Sequence, residues 1–211
     1  MSFCTITPSR GDRPEFLEFC KYQLSRMTIT PDKSYFIDHP PIDDRKDLIS
    51  RVRKGVEAAK REGFDKVYIV EDDDLYPANY FERMEFDTDF VGCNRSLYYN
   101  INNRTYEYLH HPYHSSLYCT GFKISALNGF QWPKPQAIFL DLKLWRFAAR
   151  NNKRVTLHHD SIGVSIKHGI GLVGGSGHGR TFIRSDQDLE FLKSQTDPAA
   201  FDFYTYMMNK V

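Results

Sequence analysis

The chain has 211 residues, 41% of them hydrophobic and 26% charged, with a formal net charge of +1. Such values describe an ordinary globular chain with enough apolar material for one sizeable core; they exclude a disordered or collagen-like polymer and a strong field that would attract a polyanion. The four cysteines, Cys4, Cys20, Cys93 and Cys119, lack the short spacing of a zinc or redox motif and read as buried free thiols in a reducing, cytoplasmic setting.

Met1-Ser2-Phe3-Cys4 does not read as a signal peptide, and no run of about 18 apolar residues marks a membrane span. The apolar run Phe3 to Ile6 predicts a first strand, followed by the polar loop Thr7-Pro8-Ser9-Arg10-Gly11-Asp12. Asp12 is placed to cap the next helix and Pro14 suits its first turn; Phe16, Leu17, Cys20, Leu24 and Met27 keep helical spacing. Tyr35-Phe36-Ile37 predicts a second strand ending at Asp38. Leu48, Val52, Val56 and Ala59 mark a second amphipathic helix, with Arg45, Lys46, Arg51, Arg53, Lys54, Lys60 and Arg61 on its exposed side and Gly63 ending it. Val67-Tyr68-Ile69-Val70 reads as a strand buried on both faces. This β-α-β-α-β alternation predicts an α/β fold with a mostly parallel, Rossmann-like sheet.

Further along, Phe90-Val91-Gly92-Cys93 predicts a strand and residues 94–113 a hairpin or loop. Ser116 to Ile124 reads as one more strand, Asp141 as the start of a helix carrying Leu144, Trp145, Phe147 and Ala148, and Val155 to His158 as a short strand. Seven of the thirteen glycines fall between Gly163 and Gly179, and the tail from Asp186 predicts two short helices. With no internal repeat and no linker, a single domain spans 1–211, divided into residues 1–93, 94–180 and a helical tail, 181–211.

The strongest chemical signal is Glu71-Asp72-Asp73-Asp74 directly after the third strand. Carboxyl ends of parallel strands are where α/β folds bind ligands. Four adjacent carboxylates repel one another there unless a cation compensates. In an extended chain Asp72 and Asp74 share one side, Glu71 and Asp73 the other. Oxygen donors of this kind suit Mg²⁺ or Mn²⁺ bridging two phosphates.

The segment Val70-Glu71-Asp72-Asp73-Asp74-Leu75-Tyr76-Pro77-Ala78-Asn79-Tyr80 resembles the Asp-x-Asp segment of GT-A glycosyltransferases, family 2 in particular. Thr5 to Pro14 resembles that family's first strand and nucleotide loop. The resemblance spans about residues 1–180 and extends to bacteriophage-type enzymes; the chain departs from it in being short and in carrying four adjacent acids. It implies a GT-A domain whose residues 1–93 bind a nucleotide-sugar, a UDP-sugar first of all, and whose residues 94–180 receive the acceptor. The donor would meet Thr7, Pro8, Ser9, Arg10, Arg13, Asp38, Arg51, Asp72 and Asp73, with Arg53 a further cation on the second helix. Mn²⁺ or Mg²⁺ would be held by Asp72, Asp74 and a late histidine, His168 first and His178 second. Phe139 to Trp145 resembles the segment whose acid is the general base of inverting members, which assigns that role to Asp141; a helix cap is the competing reading of the same residue. The glycine-rich stretch would close over the donor and exclude water.

Tyr98, Tyr99, Tyr106, Tyr108, His110, His111, Tyr113, His114 and Tyr118 form a candidate acceptor wall, since sugars and bases both stack on aromatic faces; loop packing is the competing reading. The acceptor stays open among a saccharide, a protein and a hydroxymethylated DNA base. Two other functions share the carboxylate pattern: a nucleotidyltransferase or two-metal nuclease, and a non-catalytic metal- or sugar-binding module.

Overall fold

The computed structural model describes residues 2–40, 47–135, 137, 139–169 and 181–210. The elements in chain order are β1 (Phe3–Pro8), α1 (Pro14–Ser25), β2 (Lys33–Ile37), α2 (Leu48–Arg61), β3 (Lys66–Ile69), α3 (Tyr80–Arg83), β4 (Phe90–Cys93), β5 (Arg95–Asn100), β6 (Thr105–His110), β7 (Gly121–Lys123), α4 (Leu140–Arg150), β8 (Val155–His158), β9 (Val164–Lys167), β10 (Arg184–Ser185), α5 (Glu190–Gln195) and α6 (Pro198–Lys210). None of the described helices is long and apolar enough to cross a membrane.

A six-stranded sheet runs β2-β1-β3-β7-β4-β8. The pairs β1–β2, β1–β3 and β4–β8 are parallel, and β7 is antiparallel to both of its neighbours. The expected mostly parallel α/β sheet flanked by helices is therefore present. Strand alternation sends Val67 and Ile69 of β3 into the core shared with α2 and α4. Tyr68 and Val70 enter the opposite core, with Cys20 and Leu24 of α1 and Tyr80 and Phe81 of α3. Both faces of β3 are covered, so its carboxyl end is one of the few places where this strand can present chemistry.

The second sheet runs β10-β6-β5-β9. The predicted hairpin is β5–β6, paired antiparallel from Arg95↔His110 to Asn100↔Thr105. β9 adds to β5 in parallel, and the Leu75↔Val164 bridge ties this sheet to the residue that follows the acidic run. Beneath it lies a third cluster in which Phe16 and Phe19 of α1 meet Tyr204 and Met207 of α6.

Helix α2 ends as predicted: Gly63 takes φ +81°, its N–H bonds Lys60 O at 3.2 Å, and Phe64 N–H bonds Ala59 O at 3.1 Å, the two bonds of a Schellman cap. Several local expectations are corrected. Asp12 does not cap α1; Arg13 occupies that position and the Asp12 carboxylate holds Arg10 instead. Pro14 does open α1. Asp141 is not a cap either, because α4 begins at Leu140 after Phe139 in the left-handed region (φ 62°). Ser116 to Ile124 is not one strand but a 3₁₀ turn over Leu117–Cys119, the short β7, and a second 3₁₀ turn from Ile124. Ser115 and Thr120 hydroxyls donate to Cys119 O and Ser116 O at 2.9 Å, offering the backbone an alternative to ladder bonds. All four cysteines are buried and free.

Candidate active site at the carboxyl end of β3

Three elements bring their ends together around the acidic run. β1 ends in Thr7-Pro8-Ser9, paired with β2 through Pro8↔Ile37 and through Ser9 N–H to Ile37 O at 3.1 Å. The loop turns at Gly11, where φ is +72° and an added Cβ would stand 2.2 Å from Asp38 O; glycine is required there by both conformation and space. Asp38 itself is exposed.

Arg51 does not belong to the exposed face of α2. It is 1% exposed, and its NH1 donates to Ser9 O and to Ile37 O (2.9 Å for the latter) while NH2 pairs with Asp47 at 2.6 Å. It thus ties α2 to the ends of β1 and β2. Arg53 is exposed and paired with Glu57 at 2.7 Å. Arg45 and Lys46 lie outside the described residues.

The run is a turn and not an extended chain, with Asp74 N–H directed at Glu71 O (3.5 Å) and the Asp72 and Asp73 carboxylates converging on one guanidinium, so the strict alternation expected of it is not kept. Asp72 is 1% exposed, accepting from Ser9 Oγ at 2.7 Å and Arg13 NH2 at 2.5 Å. Asp74 is 2% exposed and accepts the Ile166 N–H of β9 at 2.7 Å. Glu71 and Asp73 stay half-buried. Asp73 Oδ2 receives Arg13 NH1 at 2.6 Å and His168 Nε2 at 2.8 Å. That short contact makes Nε2–H the donor, so Arg13 NH1, 3.2 Å from the same nitrogen, is a neighbour and not its hydrogen-bond donor. The His168 ring is fully buried and packs tilted against Phe16, centroids 4.3 Å apart. No described residue donates to the Glu71 carboxylate; its backbone N–H bonds Tyr76 OH at 2.8 Å.

The electrostatics follow from this placement. Burial, with the charges of Asp73 and Asp141, pushes the Glu71 carboxyl up to about 8 against the pull of Lys167. Burial and Asp73 push Asp72 up to about 6 against Arg13. Burial opposes ionisation of Asp73 too, but Arg13 and His168 outweigh it and hold that carboxyl well below the usual range. Asp74 is pushed well above the usual range by burial and by Asp73. Asp141 opens the first turn of α4, and burial raises its carboxyl while the Leu142 amide and His114 pull it back.

Among the described residues, no group of three or more His, Cys, Asp and Glu side chains is arranged to hold a metal ion. Asp72 spends both carboxylate oxygens on Ser9 and Arg13, Asp74 accepts the Ile166 N–H through Oδ1 and is 2% exposed, and His168 Nε2 is held by Asp73. The Glu71 carboxylate, without a donor among the described residues and raised by burial and then by Asp73, is partly buried, as is that of Asp73. Two carboxylates of this kind fit a hard divalent cation whose other ligands are phosphate oxygens and water.

Of the other expected site residues, Thr7, Pro8, Ser9 and Arg13 are buried at the β1 end, and Arg10 is held by Asp12. His178 and most of the glycine-rich stretch lie outside the described residues. The aromatic wall divides: Tyr99 and Tyr118 are core residues, Tyr106 stacks on Phe191 of α5 at 3.5 Å, and Tyr113 is 85% exposed. Tyr98 OH bonds Ser116 Oγ at 2.7 Å, beneath Lys167.

Some participants were not singled out from the sequence. Gln23 clamps the run from α1, donating to Asp74 O at 3.1 Å and accepting from Tyr76 N–H at 2.8 Å. Its signal was a polar residue three positions from Cys20 on a buried helical stripe. Tyr204 of α6 reaches Asp73 O at 3.4 Å, a contact without any local sequence signature.

A mixed sheet with parallel β1, β2 and β3, helices on both faces and an acidic run after the central strand make a Rossmann-like α/β fold. Among solved structures, the fold is similar to S. aureus TarS residues 1–349 (TM-score 0.51, 12% identity), the match covering 79% of this chain and 61% of that one. It is similar also to the same TarS fragment in complex with UDP, at TM-score 0.50 and 12% identity, covering 80% and 61% of the two chains. This chain therefore matches less than two thirds of the length of those structures, and at such identity the likeness is one of fold. No protein-family model and no curated protein sequence matches the chain.

Proposed function

We propose that the protein is a glycosyltransferase that moves a sugar from a nucleoside diphosphate donor, UDP-sugar first of all, to an acceptor hydroxyl with inversion. The observation that carries this reading is the placement of Glu71 and Asp73: partly buried carboxylates just after the central strand of a fold shared with a protein crystallised with UDP. Glu71 and Asp73, more than Asp72, Asp74 and His168, are the residues that would hold Mn²⁺ or Mg²⁺. Such an ion, when bound, supplies positive charge that neutralises the departing diphosphate. The loop after β1 with Arg10, and Asp38 just after β2, supplies the surface for the nucleotide.

Asp141 is the base. It opens the first turn of α4, and its charge is among those that raise the Glu71 carboxyl. It takes the proton of the acceptor hydroxyl as that oxygen bonds the anomeric carbon; the bond from that carbon to the diphosphate oxygen breaks, and the diphosphate leaves with the electron pair. The acceptor, a saccharide, a protein side chain or a hydroxymethylated base, is a compound that offers this hydroxyl beside Tyr98 and Asp141.

The reading is tested by incubating the protein with a panel of nucleotide-sugars and Mn²⁺, with saccharide, protein and hydroxymethylated-DNA acceptors, and measuring released nucleoside diphosphate. Release with one donor and one acceptor class, abolished in Asp141→Asn, is expected. Silence across the panel from folded protein that does not bind UDP would sink it.

A further inference from the structure

We propose that Arg13, which the sequence pattern suggests as a nucleotide contact, is a positioning residue that reaches the donor only through Asp73. The inference rests on the nucleotide-sugar reading of the same site.

A phosphate-binding arginine needs donors that face the ligand. Arg13 has both terminal nitrogens committed to carboxylates. It is 8% exposed, NH2 is spent on Asp72 at 2.5 Å, and NH1 is spent on Asp73 at 2.6 Å. Its Nε is buried with no hydrogen-bond partner among the described residues. What the guanidinium does is span two successive carboxylates with one rigid planar fork, which sets their orientation relative to each other. A lysine, with a single point charge, cannot reproduce that geometry.

Asp73 is held from two sides. His168 donates to the same Oδ2 that Arg13 uses, and no described residue donates to Oδ1. The other oxygen is thereby the one left for a ligand. Both clamps depend on the first turn of α1. Arg13 O accepts Leu17 N–H at 3.2 Å, and the Phe16 ring supports His168 while lying 5.9 Å from the Arg13 Cζ. The helix that packs against the central sheet thus fixes the one carboxylate that must point correctly, and it does so without touching the donor.

The test is a double-mutant cycle on binding, with Mn²⁺ followed by electron paramagnetic resonance and UDP by calorimetry, in wild type, Arg13→Lys, Asp73→Asn and the double variant. Folded Arg13→Lys is expected to bind Mn²⁺–UDP about 10–100-fold more weakly, the range typical when a partner that orients a metal ligand is lost. The double variant should bind no more weakly than Asp73→Asn alone, because the residue through which Arg13 acts is already gone. Losses that multiply in the double variant would show that Arg13 contacts the diphosphate itself and overturn the inference, as would Arg13→Lys binding within about twofold of wild type. Should Arg13→Lys not fold, Arg13→Gln with Asp72→Asn, which removes one buried charge of each sign, enters the same cycle with the same two outcomes. Wild-type protein that does not bind UDP at all overturns the nucleotide-sugar reading and this role with it, and that failure is distinguishable because it appears before any substitution.

Discussion

Arg51→Met separates a structural arginine from a ligand-binding one. Arg51 is 1% exposed and donates to two carbonyls, Ser9 O and Ile37 O, while pairing with Asp47. Methionine keeps much of the aliphatic stem but leaves both carbonyls without this donor and Asp47 without its cation. Each charged hydrogen bond contributes about 1.5–3 kcal/mol, and breaking a buried pair costs about 3–5 kcal/mol. These figures overlap, and Asp47 keeps 14% exposure and hence some solvation, so a net loss of about 3–5 kcal/mol is expected. For a chain of this size that is a fall in Tm of roughly 6–20 °C. Urea unfolding at unchanged m-value measures it. UDP affinity should fall as well, because the Ser9 carbonyl is released and the Ser9 hydroxyl holds Asp72 at 2.7 Å. A variant with weakened UDP binding and a loss below about 1 kcal/mol would refute the structural role and restore Arg51 as a direct ligand.

Asp141→Asn should lower kcat by about 10²–10⁴-fold, leave UDP affinity within about twofold and barely move the urea midpoint; unchanged turnover would remove Asp141 as the base. Gln23→Leu strands the buried Asp74 O and Tyr76 N–H and should cost about 2–4 kcal/mol in urea unfolding, whereas a neutral result would mean that water replaces both bonds. The His111 imidazole is pushed down to about 4 by burial and by His114. The unfolded chain therefore binds the extra proton between about pH 6.5 and 4, and the His111 contribution to stability falls as pH drops through that window, opposite in sign to that of the raised Glu71 and Asp72 carboxyls. With partial exposure discounted, the loss is about 1–2 kcal/mol. His111→Phe should flatten the profile, and an equally steep slope in that variant would assign the loss to another group.

The β-α-β-α-β start was legible because period-2 and period-3.6 runs alternate cleanly from Phe3 to Val70, with Pro14 and Gly63 marking helix ends. The place of the acidic run was legible for the same reason. Which side of the run faces inward was not, because that depends on Ser9, Arg13 and the Ile166 amide arriving from β1, the adjoining loop and β9. Arg51 lies three residues from Leu48 and four from Gly55, on the buried stripe, but its charge reads as exposed until the carbonyls that end β1 and β2 are seen. The strand expected over Ser116 to Ile124 failed because serine and threonine hydroxyls bond the backbone locally.

The most direct measurement is a titration of UDP into the protein with Mn²⁺ present, repeated with Glu71→Gln. The account predicts saturable binding of UDP to wild type and a loss of at least about tenfold in the variant, since Glu71 is the carboxylate with no described partner of its own. Absence of binding to folded wild type at millimolar UDP, or binding that Glu71→Gln leaves unchanged, would contradict it.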